Sequence, residues 1–210
     1  MPLSIGDDFA RRYAPDINLF ACARDESAAA LESLSGLASS SSPLYILQVP
    51  EIRIPSGLRP SLTALGVQMV ASGPMDPERD SDDIVPLGDA DAEQMLALAT
   101  RTRPGPFLRH THRMGRFVGI RIDGRLAAMA GERFRFPGYT EISGVCTHPD
   151  FRGRGLARRL SRHVGAHITA RGDTAFLHAW KNNVAAISLY ESLGFTIRSD
   201  VHVAVLEPMV

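Results

Sequence analysis

The spacing of apolar residues changes several times along the chain, and each change predicts an element. Ile17 to Ala23 (INLFACA) is a nearly continuous apolar run and reads as a strand. Glu26 to Leu37 is rich in Ala and Leu at helical spacing, with Gly36 near its end, and predicts a helix. The run Ser39-Ser40-Ser41-Ser42-Pro43 is a connecting loop. Leu44 to Val49 reads as a buried strand, Leu58 to Leu65 as a short helix, and Val67 to Ala71 as a further strand. Gly73-Pro74-Met75-Asp76-Pro77 and the net acidic stretch from Glu78 to Asp83 cannot bury much apolar surface and predict a linker. The boundary falls there, with a smaller α/β region over 1–82 and a second domain over 83–210.

In the second part Ile84 to Leu87 is a short strand, and Asp89 or Asp91 is placed to cap a helix through Met95, Leu96 and Leu98 that Pro104 and Pro106 end. Phe117 to Ile122 and Leu126 to Phe136 form a hairpin across Asp123-Gly124. After a turn at Pro137-Gly138, Tyr139 to Thr147 is another strand. Leu156, Leu160 and Val164 recur on one helical face, and Ala175 to Trp180 returns as a strand. Asn182 or Asn183 opens a last helix, Gly194 suits its end, and Phe195 to Ile197 with Val201 to Leu206 form a closing strand pair. The alternation predicts an α/β chain.

Charge adds an asymmetry that the net value of zero hides. Residues 1–100 carry −9, residues 101–181 carry +11 and the last 29 carry −2. A basic segment calls for an anionic partner, either nucleic acid or a phosphorylated cofactor. Of the 23 basic residues 22 are Arg, so no single arginine is diagnostic. Arg101 to Arg116 is read as a solvated or substrate-facing loop rather than a nucleic-acid face, and His110 and His112 lack the further ligands a metal needs, so no metal is assigned. Cys22 and Cys146 fit no metal spacing and read as free thiols. No apolar run reaches the ~18–20 residues that span a bilayer. The start, Met1 to Asp8, lacks the basic and apolar stretches of a signal peptide, which points to the cytoplasm and away from membranes.

The most informative stretch is Thr140 to Leu160, TEISGVCTHPDFRGRGLARRL. A strand ends near Pro149, a glycine- and arginine-rich turn follows, and a helix begins. Such a turn presents unpaired backbone N–H groups and the positive end of a helix dipole, which together favour a phosphate. Neither the phosphate-binding GxxxxGK[ST] pattern nor the dinucleotide GxGxxG pattern is present. Arg152-x-x-Gly155-x-Ala157 resembles the [Q/R]xxGx[G/A] signature of GNAT acyltransferases, and Val145 to Pro149 looks like the strand end before it. The resemblance implies that Arg152, Gly153, Arg154, Gly155, Leu156, Ala157 and Arg158 hold the coenzyme A pyrophosphate, with Arg159 near the phosphates. Val145, Cys146 and Thr147 would run beside the pantetheine.

A second stretch, Asn183 to Phe195, resembles the same family's NxxAxxxYxxxGF element, in which Asn183, Ala186 and Tyr190 sit near the coenzyme. Together the motifs imply the GNAT fold, a mixed sheet with helices, over about Ile84 to Glu207. They further imply an acetyl-CoA-dependent N-acetyltransferase acting on a small-molecule or peptide amine by direct attack. Tyr190 is the implied acid for the departing thiolate, and either Glu141, its carboxyl raised toward neutrality by burial, or a water chain is the implied base. His178 is placed to relay a proton or to serve as a satisfied pocket histidine. The two-part layout is similar to the glycine N-acyltransferase-like branch. A catalytically silent coenzyme A sensor and a nucleic-acid-binding protein are the alternatives. The acceptor and the oligomeric state are not legible.

Overall fold

The computed structural model of the protein describes residues 3–77 and 81–209. Met1 and Pro2 of the chain start, and Glu78, Arg79 and Asp80 of the expected linker, lie outside the described residues. The elements in chain order are β1 (Ser4–Gly6), β2 (Ala10–Tyr13), β3 (Ala21–Ala23), α1 (Ala28–Gly36), β4 (Leu44–Gln48), β5 (Leu58–Ala71), β6 (Ile84–Leu87), α2 (Ala92–Thr102), β7 (Phe117–Ile122), β8 (Arg125–Phe136), β9 (Tyr139–Thr147), α3 (Leu156–Ala170), β10 (Thr174–Trp180), α4 (Val184–Glu191) and β11 (Phe195–Pro208). Three short 3-10 turns cover Asp89–Asp91, Thr111–Met114 and Pro149–Phe151. The hydrogen-bonding order of the large mixed sheet is β4-β11-β5-β10-β9-β8-β7-β6.

Contacts divide the chain into two compact units, and β5 and β11 contribute residues to both. The first holds residues 1–67, 180–182 and 199–210. It contains the antiparallel sheet β1-β2-β3, helix α1 and β4 paired antiparallel with β11. Ser27 caps α1 by accepting the Ala30 N–H. Its core gathers Ala10, Leu34, Leu44, Ile46, Leu58 and Leu206. Arg12 is buried there, and its guanidinium donates to the carbonyls of Leu37 and Ser42, which satisfies an otherwise costly charge.

The second unit holds residues 68–179 and 183–198. Strands β6, β7, β8 and β9 are antiparallel neighbours, and β10 joins β9 in parallel. Helix α3 buries Leu156, Leu160 and Val164, the face its spacing predicts. Helix α2 closes a core of Leu87, Met95, Leu98, Phe117, Met129 and Cys146. It ends with Arg103 in the left-handed region, directly before Pro104.

Three local expectations need correction. Leu58 to Leu65 is the first half of strand β5, not a helix. Leu58, Leu62 and Leu65 repeat at helical spacing, yet only Leu58 is buried, so they form no apolar face. The expected closing strand pair is a single strand, β11, that passes through Ser199 and Asp200 without turning. The strand expected from Ile17 is short, since 14–18 are held in a turn by the Ile17 and Asn18 N–H groups on the Ala14 carbonyl.

Candidate active site

Strand β9 is irregular where the site lies. Met129 pairs with Cys146 and Gly131 with Ser143, so Gly144 and Val145 together face Ala130 alone. Two residues opposite one make a β-bulge, which takes a strand's polar groups out of its ladder and bends it. Gly144 adopts φ +63°, and a Cβ there would meet the Phe117 ring at 2.9 Å, so glycine is required on both counts. A lone glycine inside a strand pattern is the signal for this bulge, and sequence reasoning passed over it.

The other edge of β9 opens at the same place. Its parallel ladder with β10 runs from Thr174↔Tyr139 to Phe176↔Glu141. Beyond that rung β9 continues to Thr147 and β10 to Trp180, and the strands part. The parted segment of β9 therefore presents backbone donors and acceptors on that side, and it includes Val145, Cys146 and Thr147. The Thr147 hydroxyl is buried and has no partner among the described residues, a polar group oriented by the strand and unspent.

The glycine turn follows β9 through a 3-10 turn, in which the His148 ring accepts the Asp150 N–H. Gly153 and Gly155 take φ +78° and +72°, and nothing lies within 4 Å of a Cβ built on either. Gly155 begins α3 with no side-chain cap, so the first N–H groups of a 15-residue helix remain available. Arg152, Arg154 and Arg158 are exposed around them, Arg154 over the Phe151 ring at 5.3 Å. Arg159, in the first turn of α3, is paired with Asp83 through both carboxylate oxygens at 2.6 and 3.0 Å. The glycine geometry, the uncapped helix start, the exposed arginines and the orphaned Thr147 hydroxyl fit a pyrophosphate with a pantetheine arm.

Helix α4 carries the second motif. Asn183, not Asn182, caps it by accepting the Ala186 N–H at 3.2 Å. Ala186 is half-buried and Tyr190 is buried, its ring edge-on to Phe195. Burial pushes the phenol up to about 12. Cys146 is pushed up to about 11 by burial and is a thiol, not a thiolate.

Glu141 has no exposed surface. Its carboxylate accepts two bonds from Arg133, at 2.7 and 2.6 Å, and one from His178 Nδ1 at 2.6 Å. Burial alone would raise this carboxyl, but the Arg133 guanidinium and the His178 ring outweigh it and bring Glu141 from 4.5 down to about 2. The expected rise toward neutrality is thus reversed, because the neighbours that bury Glu141 are donors rather than apolar groups. His178 Nε2 in turn meets the Gln68 side-chain amide at 3.1 Å.

Some of the remaining basic side chains are paired with acids. Arg113 pairs with Asp89, Arg121 with Asp91, Arg125 with Asp150, and Arg171 with Glu132. His112 is buried against Asp89, which Arg113 and His112 hold down to about 2.

Known proteins share this architecture. A family model described as FR47-like protein matches residues 117–203. A solved structure of a GNAT-family protein from Novosphingobium aromaticivorans is 41% identical, with a TM-score of 0.92, over 99% of this chain and 92% of that one. A [ribosomal protein bS18]-alanine N-acetyltransferase of Salmonella typhimurium is 37% identical over 93 residues, 41% of this chain and 62% of the relative. An N-alpha-acetyltransferase RimI of Mycobacterium tuberculosis is 36% identical over 89 residues, 41% of this chain and 52% of the relative. The matched segment thus spans between half and two thirds of these curated relatives. Among the described residues no helix is long and apolar enough to cross a membrane.

Proposed function

Because the chain belongs to the GNAT family of acetyltransferases, we propose that it acetylates a primary amine from acetyl-CoA, by direct attack, where β9 and β10 part. The observation that carries this reading is the coincidence of the parted strands with the open Gly153–Gly155 turn at the end of the same strand β9. Backbone N–H groups at the start of α3, with Arg152, Arg154 and Arg158, would hold the pyrophosphate, and Val145 to Thr147 the pantetheine. Asn183 and Ala186 line the approach of α4. Bound there, acetyl-CoA supplies the acyl group as an activated thioester.

The chain's own groups meet the three demands of amine acylation. The bulge at Gly144 and Val145 supplies N–H donors outside the β8 ladder for a developing oxyanion. Tyr190, protonated across the whole neutral range, is the acid for the departing thiolate. His178 takes the amine proton at Nε2, while Glu141 is the fixed anion that orients the ring through Nδ1 and stabilises the imidazolium. Glu141 enters as this partner and not as the base, since a carboxyl held at about 2 takes up almost no proton near neutrality.

The acceptor class we propose is a small-molecule or peptide amine, acetylated in the cytoplasm. The names of the two curated relatives favour a peptide N-terminus, and the two-part layout favours a small amino acid. We retain 83–210 as the acyltransferase domain, which Gln68 of β5 joins from the first part, and leave the rest of 1–82 without a role. The test is a calorimetric titration with acetyl-CoA on the native protein and Gly155→Glu, followed by thiol release over amino acids, polyamines and peptide N-termini. Saturable binding that the substitution abolishes, with amine-dependent thiol release, is the expected result. Binding without release for any amine would make the chain a coenzyme A sensor, and absence of binding at millimolar ligand would refute the reading.

A further inference from the structure

Five polar side chains form a row across five neighbouring strands: Arg133 on β8, Glu141 on β9, His178 on β10, Gln68 on β5 and Arg198 on β11. Donor and acceptor types leave one assignment for the middle of it. The ionised Glu141 only accepts, so His178 Nδ1 carries a proton toward it. At the other end the Arg198 guanidinium only donates, and its Nη1 lies 2.6 Å from Gln68 Oε1. The Gln68 amide is therefore turned with its NH2 group toward His178, and Nε2 of the ring must accept. A proton on Nε2 would set one N–H against another. Relieving that by turning the amide would set its NH2 against Arg198.

From this geometry we propose that Gln68, held by Arg198, is a positioning residue that keeps His178 Nε2 unprotonated and occupies the place an acceptor amine takes. The inference deepens the proposed amine-acetylating site and rests on that reading. The Gln68 N–H contacts the ring nitrogen as an incoming amine N–H would, so the amine replaces a like partner and the ring is never left unsatisfied. The charged groups of the row that bear on His178 are Glu141, backed by Arg133, which favours a ring proton on Nε2, and Arg198, acting through Gln68, which opposes it.

The test follows the His178 ring nitrogens by 15N NMR across pH, without acetyl-CoA, in the native protein and in Arg198→Ala, Arg198→Lys and Gln68→Glu. In the native protein the neutral ring shows its proton on Nδ1. Arg198→Ala, at an exposed residue, frees the amide to turn its oxygen to Nε2, and the protonation midpoint rises by about one pH unit. Arg198→Lys restores the native midpoint, because an ammonium also only donates. Gln68→Glu raises it further, and the acid limb of kcat/KM moves with each midpoint while coenzyme binding is unchanged. A native ring protonated on Nε2 alone, or an Arg198→Ala midpoint equal to the native one, overturns the proposal. The ring readout needs no turnover, so a failed amine screen would refute the proposed function while leaving this assignment standing.

Discussion

Phe176 stands opposite Glu141 on the last rung of the β9–β10 ladder, and the strands part beyond this pair. The bulge at Gly144 follows on β9, where φ is +63° and the Phe117 ring leaves no room for a methyl group. Gly144→Ala is expected to destabilise the fold by about 1–3 kcal/mol, through overpacking and left-handed strain. Denaturant unfolding checks the loss, and acetyl-CoA titration of the folded fraction should show weakened binding.

Gly155 gives the contrasting case, because a Cβ there meets open space. Gly155→Ala should cost only about 1–2 kcal/mol, the left-handed penalty for an L-residue. Its affinity for acetyl-CoA should nevertheless fall at least about tenfold, since the methyl group stands where the backbone must approach a phosphate. Paired melting and calorimetry separate the two effects. Unchanged affinity would remove the turn from the binding site.

Tyr190→Phe should reduce turnover by roughly 10²–10⁴-fold, the range for lost acid catalysis, with coenzyme affinity nearly intact. Because the phenol is pushed up to about 12, the native pH–rate profile should show no alkaline limb from this group through pH 10. Equal turnover in the variant would place the acid elsewhere.

Glu141→Gln leaves the buried Arg133 guanidinium without its carboxylate, which typically costs about 3–5 kcal/mol. The sign of its pH dependence follows from the shift from 4.5 to about 2. A depressed carboxyl stabilises the fold fully above its unfolded value, and that stabilisation is lost as pH falls from about 4.5 through 2. Acid unfolding of the native protein should carry this component, and the variant should lack it.

Cys146 lies in the parted segment of β9, yet burial holds its thiol up at about 11. A thiol of that acidity is a poor nucleophile at neutral pH, so no acyl-cysteine intermediate should form. Cys146→Ala is expected to retain turnover within a few-fold, and mass spectrometry after acetyl-CoA exposure should find no acetylated Cys146. A stable adduct would contradict direct attack.

How much of this was legible depended on the reach of each interaction. Asn183 and the Ala186 N–H lie three residues apart, and Leu156, Leu160 and Val164 share one helical face, so cap and face can be read from local spacing. The glycine turn was legible for the same reason. Leu58, Leu62 and Leu65 imitate that spacing in a strand, because periodicity marks a face only where something packs on it. The state expected for Glu141 was inverted, since Arg133 and His178 reach it across strands. Gln68 carried no signal at all, being 110 residues from the ring it contacts.

The sequence by itself determined the element types of the second unit, the glycine turn before α3, the start of α4 at Asn182 or Asn183 and the family, all of which depend on short-range backbone chemistry and on motifs read in order. Only the tertiary structure decided the parting of β9 from β10, the charge state of Glu141 and the partners that His178 meets at its two ring nitrogens. Those depend on which strands become neighbours, and a side chain's protonation is set by the donors and acceptors that strand order brings beside it.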